Sequence, residues 1–191
     1  MRCNREARAS HGYINARRPV RLPGRRGWTD HGGDAAVDSP VFEIALAIRR
    51  SAARLCGDLA WGVLHEVPLP NGRRADLLAL RPDGGFVCIE VKSGARDFLA
   101  DLKWPDYRAF CDALYFAVDP GFPFDLLPEQ TGLIVADDVC AEIFRQAPAH
   151  PLAPARRRAL LHRFAMLAAS RLAAIEDPSG TAARRAGIRA E

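Results

Sequence analysis

From Arg74 to Lys92 the chain reads RADLLALRPDGGFVCIEVK, two apolar runs of strand length separated by a turn of proline, aspartate and glycine. The second run, Phe86–Lys92, is rich in β-branched residues and apolar on both alternating faces until Glu90, which predicts an inner strand covered on both sides. The first run, Arg74 to Leu80, meets it through RPDGG, and so tight a turn makes the two an antiparallel hairpin. Side chains two apart on a strand share a face, so Glu90 and Lys92 project together, and the hairpin brings Asp76 beside Glu90. Charges at the rim of an apolar strand cost on the order of several kcal/mol per ion unless they are paired or hold a metal.

Two converging carboxylates repel each other. A divalent cation such as Mg²⁺ or Mn²⁺ relieves that repulsion through oxygen ligands while keeping several waters. Such an ion activates a water at neutral pH and offsets the charge that develops on a phosphodiester during displacement. Lysine suits the third position. Apart from Lys92 and Lys103, every strongly basic side chain of the protein is arginine, and only lysine is a compact point charge whose proton can be exchanged when buried.

Outward from the hairpin, SPVFEIALAIRRSAARLC has Ser39 placed as an N-cap and Pro40 at the first helical position. Val41, Ile44, Ala45, Ile48 and Ala52 then recur at helical spacing, predicting a helix from about Pro40 to Cys56. A short strand before Arg74 is expected in LAWGVLHEVP. Beyond Gly94 a helix is predicted from about Arg96 to Asp112, kinked or divided by Pro105. ALYFAVD and TGLIVAD read as buried strands, with a partner for the latter in VCAEIFRQ. A last helix, about Ala155 to Ile175, places Leu160, Leu161, Phe164, Leu167, Ala168, Leu172 and Ile175 on one stripe. This order predicts a mixed α/β sheet flanked by helices.

With 191 residues, 49% of them hydrophobic, the chain is sized for one domain with a substantial core. No run approaches the ~18 consecutive apolar residues of a membrane-spanning helix, so no membrane partner is expected. The five cysteines are scattered without a CxxC pair or zinc-ligand spacing, which fits a reducing cytoplasm. The net charge of +4 is uneven, for residues 1–30 hold eight arginines against Glu6 and Asp30. Residues 1–38 read as a disordered Arg-rich leader: a phosphate-gripping arm, a targeting peptide, or a dispensable start. Residues 39–176 form the expected domain, and 177–191 read as a disordered tail.

The pattern of Asp76, a gap of thirteen residues, then Glu90-Val91-Lys92 resembles the PD-(D/E)XK nuclease superfamily. The expected order of helix, three strands, helix and strand matches too, over roughly Val41 to Asp119. More specifically, EVKSGARDFLADLKWPDYRAFCDALYFAV, with RRADLLAL and the last helix, resembles the MmcB-like DNA repair proteins, from Val41 to about Ala174. The resemblance implies a single restriction-endonuclease-like domain of α/β class, with a mixed central β-sheet flanked by helices. It also implies DNA, and other repair proteins, as partners. Through the fold it implies Asp76, Glu90 and Lys92 as the active site, with Asp76, Glu90 and Val91 as metal-holding positions and Mg²⁺ or Mn²⁺ as cofactor. Glu43, on the first helix, is the implied auxiliary acid, and Glu66 is its rival. The function so implied is a metal-dependent deoxyribonuclease in DNA repair. The alternative is a catalytically inactive DNA-binding or scaffold protein on the same fold.

Around that centre, Lys103 is a candidate phosphate contact, against a surface ion pair with Asp106 or Asp101. Trp104 and Tyr107 offer base stacking, against packing beneath the sheet. Ser93 is a candidate phosphate ligand or helix cap, and Arg73 and Arg74 flank Asp76 as phosphate contacts. Asp97 and Asp101, four apart, suit a second metal or the helix dipole. Arg156, Arg157 and Arg158 form a phosphate-binding patch or a solvated helix end. His65, His150 and His162 lack paired spacing and read as structural.

Overall fold

The computed structural model describes residues 40–100 and 103–187; the leader, Ser39, Asp101, Leu102 and the last four residues lie outside this range. Six strands form one sheet in sequential order: β1 (Gly62–Pro68), β2 (Arg74–Leu80), β3 (Phe86–Lys92), β4 (Ala113–Val118), β5 (Gly132–Ala136) and β6 (Ala141–Arg145). β3 pairs with β4 and β4 with β5 in parallel, while the other neighbours are antiparallel. The hairpin turn closes through Arg81 N–H to Gly85 O (2.8 Å). Gly84 there adopts φ 81°, a left-handed conformation that glycine takes without a Cβ clash.

One face of the sheet is covered by α1 (Pro40–Asp58), whose Ile48, Ala52 and Cys56 pack against Leu77, Ala79, Val87 and Ile89. Their spacing of four is the buried stripe predicted for this helix. Val41 and Ile44, assigned to the same stripe, are exposed at 55% and 41%, so the first turn contributes little to the core. The other face carries α2 (Ala95–Ala100), a 3-10 helix over Trp104–Phe110, and α3 (Pro154–Glu176). Pro105 stands at the start of the 3-10 helix, so the helix predicted from Arg96 to Asp112 is divided there, as a ring without an N–H dictates.

α3 docks through Leu160, Phe164 and Leu167, with the Phe164 ring edge-on to Phe86 at 5.9 Å. Its stripe departs from the sequence reading, because Leu161, Leu172 and Ile175 are exposed and Arg171 is half-buried in their place. The cause is a polar demand: Arg171 donates to His65 O (2.5 Å) and Glu66 O (3.1 Å), carbonyls beside a gap in the β1–β2 ladder.

A buried carboxylate fastens α3 to the sheet. Asp112 accepts from Phe86 N–H (2.7 Å), Leu152 N–H (2.8 Å) and both terminal nitrogens of Arg157 (2.7 and 2.6 Å). Burial alone would push its carboxyl up, but the Arg157 and backbone hydrogen bonds overcome this and hold it down at about 2. Arg157 therefore has a structural role, where the sequence assigned it to a phosphate patch or solvated end.

The segment expected as a disordered tail contains α4 (Pro178–Gly187). Asp177 Oδ1 accepts from Gly180 N–H (2.9 Å) and Ser179 Oγ (3.1 Å), and Pro178 follows it in the first turn. An aspartate N-cap followed by proline is a helix start within DPSG that composition alone obscured. Among the described residues no helix is long and apolar enough to cross a membrane, and Cys56, Cys88 and Cys111 are buried free thiols.

Candidate active site

The site arises where two strands part. The β2–β3 ladder runs from Leu80↔Phe86 to Leu77↔Ile89 and stops. In place of the next backbone pair, Asp76 inserts its carboxylate: Oδ2 accepts from Val91 N–H (2.8 Å), while Asp76 N–H donates to Glu90 Oε1 (3.4 Å). β1 and β2 also exchange faces here. Leu64 and Val67 pack in one cluster despite their odd separation, as do Ala75 and Leu78, so alternation breaks at the facing positions Glu66 and Asp76. Glu66 adopts φ 49°, a left-handed backbone that costs a non-glycine residue about 1–3 kcal/mol and tends to occur at functional sites.

The result is an open hollow of about 650 Å³ lined by Arg73, Arg74, Asp76, Glu90, Lys92 and Tyr107, with Asp97 at its edge. The three residues expected to converge share it. Glu90 and Lys92 are buried, at 3% and 6% exposure, yet both border the hollow, so the same-face prediction from their spacing is met. Glu90 Oε1 also accepts from the Cys88 thiol (3.8 Å). Burial and the neighbouring Asp76 charge push the Glu90 carboxyl up to about 8. Asp76 is raised as well, by burial and by the Glu66 charge, against the lowering effects of Val91 N–H and Lys92. Burial and the Glu90 charge likewise push the Tyr107 phenol up, so it stays a hydrogen-bond donor, aimed at Arg74 O (3.4 Å).

The other candidates divide. Glu66, rather than Glu43, is the acid beside Asp76: with Asp76 and Val91 it lines a smaller hollow under α1, whereas Glu43 is exposed and lines neither space. The physical reason is that the first turn of α1 stays at the surface while the left-handed turn at Glu66 redirects its side chain. Arg49 pairs with Glu66 Oε1, and Arg74 Nε lies 2.6 Å from Oε2. Trp104 is half-buried, edge-on to Phe116 at 6.3 Å and beneath Arg108 at 5.3 Å, so it packs rather than presenting an open stacking face. Tyr107 is likewise buried. Ser93 directs its hydroxyl (3.2 Å) and its N–H (3.1 Å) to Asp97, which binds the loop to α2.

Lys103 is exposed and does not line the hollow, and Asp106, its expected partner, is held by Arg73 at 2.9 Å. Asp101, the other partner and half of the second-metal pair, lies outside the described residues. Sequence reasoning missed Arg49 and Arg171, which hold the side chain and carbonyl of Glu66. The one available signal was an arginine inside the apolar period of the last helix.

Among the described residues no three His, Cys, Asp or Glu side chains cluster as a ready metal site. The donors at the hollow are the carboxylates of Asp76 and Glu90. A pair of hard oxygen donors facing water fits a Mg²⁺-class ion, which needs one or two carboxylates and keeps its waters, and does not fit a zinc site built from nitrogen and sulfur.

Comparison with known proteins adds to this geometry. A family model described as DNA repair protein MmcB-like matches residues 33–179. A solved structure of a protein of unknown function from Silicibacter pomeroyi is 41% identical, covering 75% of this chain and 97% of that one at a TM-score of 0.67. No curated protein matches.

Proposed function

The chain belongs to the MmcB-like DNA repair protein family, and from that premise we propose that it is a metal-dependent deoxyribonuclease of PD-(D/E)XK type. The observation that carries this reading is the convergence of Asp76, Glu90 and Lys92 on one open hollow where β2 and β3 separate. Asp76 and Glu90 would hold a Mg²⁺ or Mn²⁺ ion, which when bound supplies an activated water and offsets charge on the phosphate.

The chain's own residues prepare the rest. Lys92 brings positive charge to the wall shared with Glu90, suited to orient the attacking water or to stabilise the developing phosphorane. Arg73 and Arg74, on the outer rim, attract and position the neighbouring phosphates. Val91 N–H fixes one Asp76 oxygen, so the second is directed without rotamer freedom. Glu66, clamped by Arg49 and Arg74, sits close enough to Asp76 to raise its carboxyl.

The test is a panel of labelled single-stranded, duplex and branched DNAs incubated with Mg²⁺ or Mn²⁺. The wild type is expected to cleave at least one, and Lys92→Ala to cleave none while melting like the wild type. A second reading, a catalytically silent DNA-binding or scaffold protein, draws on the main-chain hydrogen bonds already accepted by Asp76 and Glu90. Binding without cleavage in either protein would establish it.

A further inference from the structure

Asp76 and Val91 border two spaces. Behind the main hollow lies one of about 180 Å³ whose walls include Phe42, Ala45, Leu46 and Arg49 of α1, with Glu66, Asp76 and Val91 from the sheet. The Phe42 ring is 57% exposed and lies outside each packed cluster of the core. An exposed aromatic in the second turn of a helix is ordinarily a misfit. Here it lines a space that shares Asp76 and Val91 with the candidate active site.

Resting on the nuclease reading above, we infer that this space is a subsite for one unpaired nucleobase, which stacks on Phe42. The preferred substrate is then single-stranded DNA, or a strand unpaired at the point of attack. Three features select this occupant. The volume holds roughly six waters at about 30 Å³ each, the scale of one planar base and too small for a base pair. Aromatic stacking beside basic groups is the recognition mode of unpaired strands, because every base offers a π-face only after leaving its duplex. Arg49 and Arg74 pair with Glu66, and Asp76 adds a second carboxylate at that wall, so the space is near neutral overall and suits an uncharged base.

The test uses the full chain in EDTA at low salt, so that binding is read without cleavage. Fluorescence anisotropy would follow a labelled single-stranded oligonucleotide and its duplex with the wild type, Phe42→Ala, Phe42→Leu and Phe42→Trp. Stacking predicts a loss of about 5- to 150-fold in single-strand affinity for Phe42→Ala. A similar loss is expected for Phe42→Leu, near-wild-type binding for Phe42→Trp, and less than a twofold change with duplex. The wild type should also bind an abasic strand as weakly as Phe42→Ala binds the intact one, a readout independent of the variants' folding. Undiminished single-strand binding by Phe42→Ala, full rescue by leucine, or equal losses on both DNAs would overturn the subsite. Cleavage by the wild type beside an unaffected Phe42→Ala would remove this inference alone. Phe42-dependent single-strand binding without cleavage would remove only the nuclease reading.

Discussion

Two buried carboxylates on the same side of the sheet lie at opposite ends of the parallel β3–β4 pair, and their surroundings could hardly differ more. Asp112, just before β4, accepts four hydrogen bonds of 2.6 to 2.8 Å, two of them from a guanidinium. Its carboxyl is held at about 2. Glu90, near the end of β3, accepts long bonds from Asp76 N–H (3.4 Å) and the Cys88 thiol (3.8 Å), has the Tyr107 phenol as a further hydrogen-bond partner, and faces a second carboxylate. Its carboxyl is pushed up to about 8. A buried charge held by a guanidinium fastens elements together, whereas one set against a like charge beside an open hollow is a place prepared for something else.

The sharpest break of the Asp112 side is Asp112→Ala. It would orphan Phe86 and Leu152 N–H and leave Arg157 without its partner, so a loss of about 3–5 kcal/mol is expected in urea melts. The pH dependence follows from the sign of the shift. A carboxyl lowered from 3.8 to about 2 contributes stability that is present above pH 4 and lost as pH falls through about 2. The wild type should therefore weaken by roughly 2 kcal/mol between pH 4 and 2, and an Asp112→Asn protein should lack that component.

On the other side, Lys92→Ala should lower cleavage by about 10²–10³-fold, the scale of losing one charge-stabilising group, with little change in melting temperature. Glu90→Gln inverts the usual expectation for a charged residue. Its carboxyl titrates near 4.5 unfolded and about 8 folded, so the folded state binds the extra proton between those values and stability falls as pH rises through them. Replacing it should add roughly 2 kcal/mol of stability at pH 8, after allowance for the open hollow, and almost nothing near pH 5. Activity should be lost at both. The smallest effect belongs to a third region: Asp177→Ala removes the cap of α4 and should cost about 1 kcal/mol, read as faster amide exchange confined to that helix.

What was legible in the sequence follows the same division. The bounds of β2 and β3, the division at Pro105 and the meeting of Asp76, Glu90 and Lys92 rest on local rules of strand alternation, turn chemistry and proline geometry. Those rules act within a few residues, so one chain suffices to read them. The role of Asp112 was hidden because its partners, Phe86, Leu152 and Arg157, are distant in the chain and no local pattern announces them.

The substitution of Glu66 for Glu43 as the acid near Asp76 was hidden for another reason. It depends on a left-handed backbone at a glutamate, which no residue preference predicts. Arg171 was masked by the apolar period around it. The reading of Leu172 and Ile175 as core extended a helical stripe past the point where β1 and β2 presented unpaired carbonyls instead of apolar surface.

The central claim is that the mutually repelling pair Asp76 and Glu90, and not Asp112, takes up a divalent ion. Calorimetric titration of Mn²⁺ into the wild type, Glu90→Gln and Arg157→Ala tests it directly. The account predicts Mn²⁺ binding by the wild type that strengthens from pH 6 to pH 8 with proton release, since the ligands must be deprotonated. Binding should disappear in Glu90→Gln and persist in Arg157→Ala. Binding that survives Glu90→Gln unchanged, or wild-type protein that takes up no Mn²⁺ at pH 8, would contradict it.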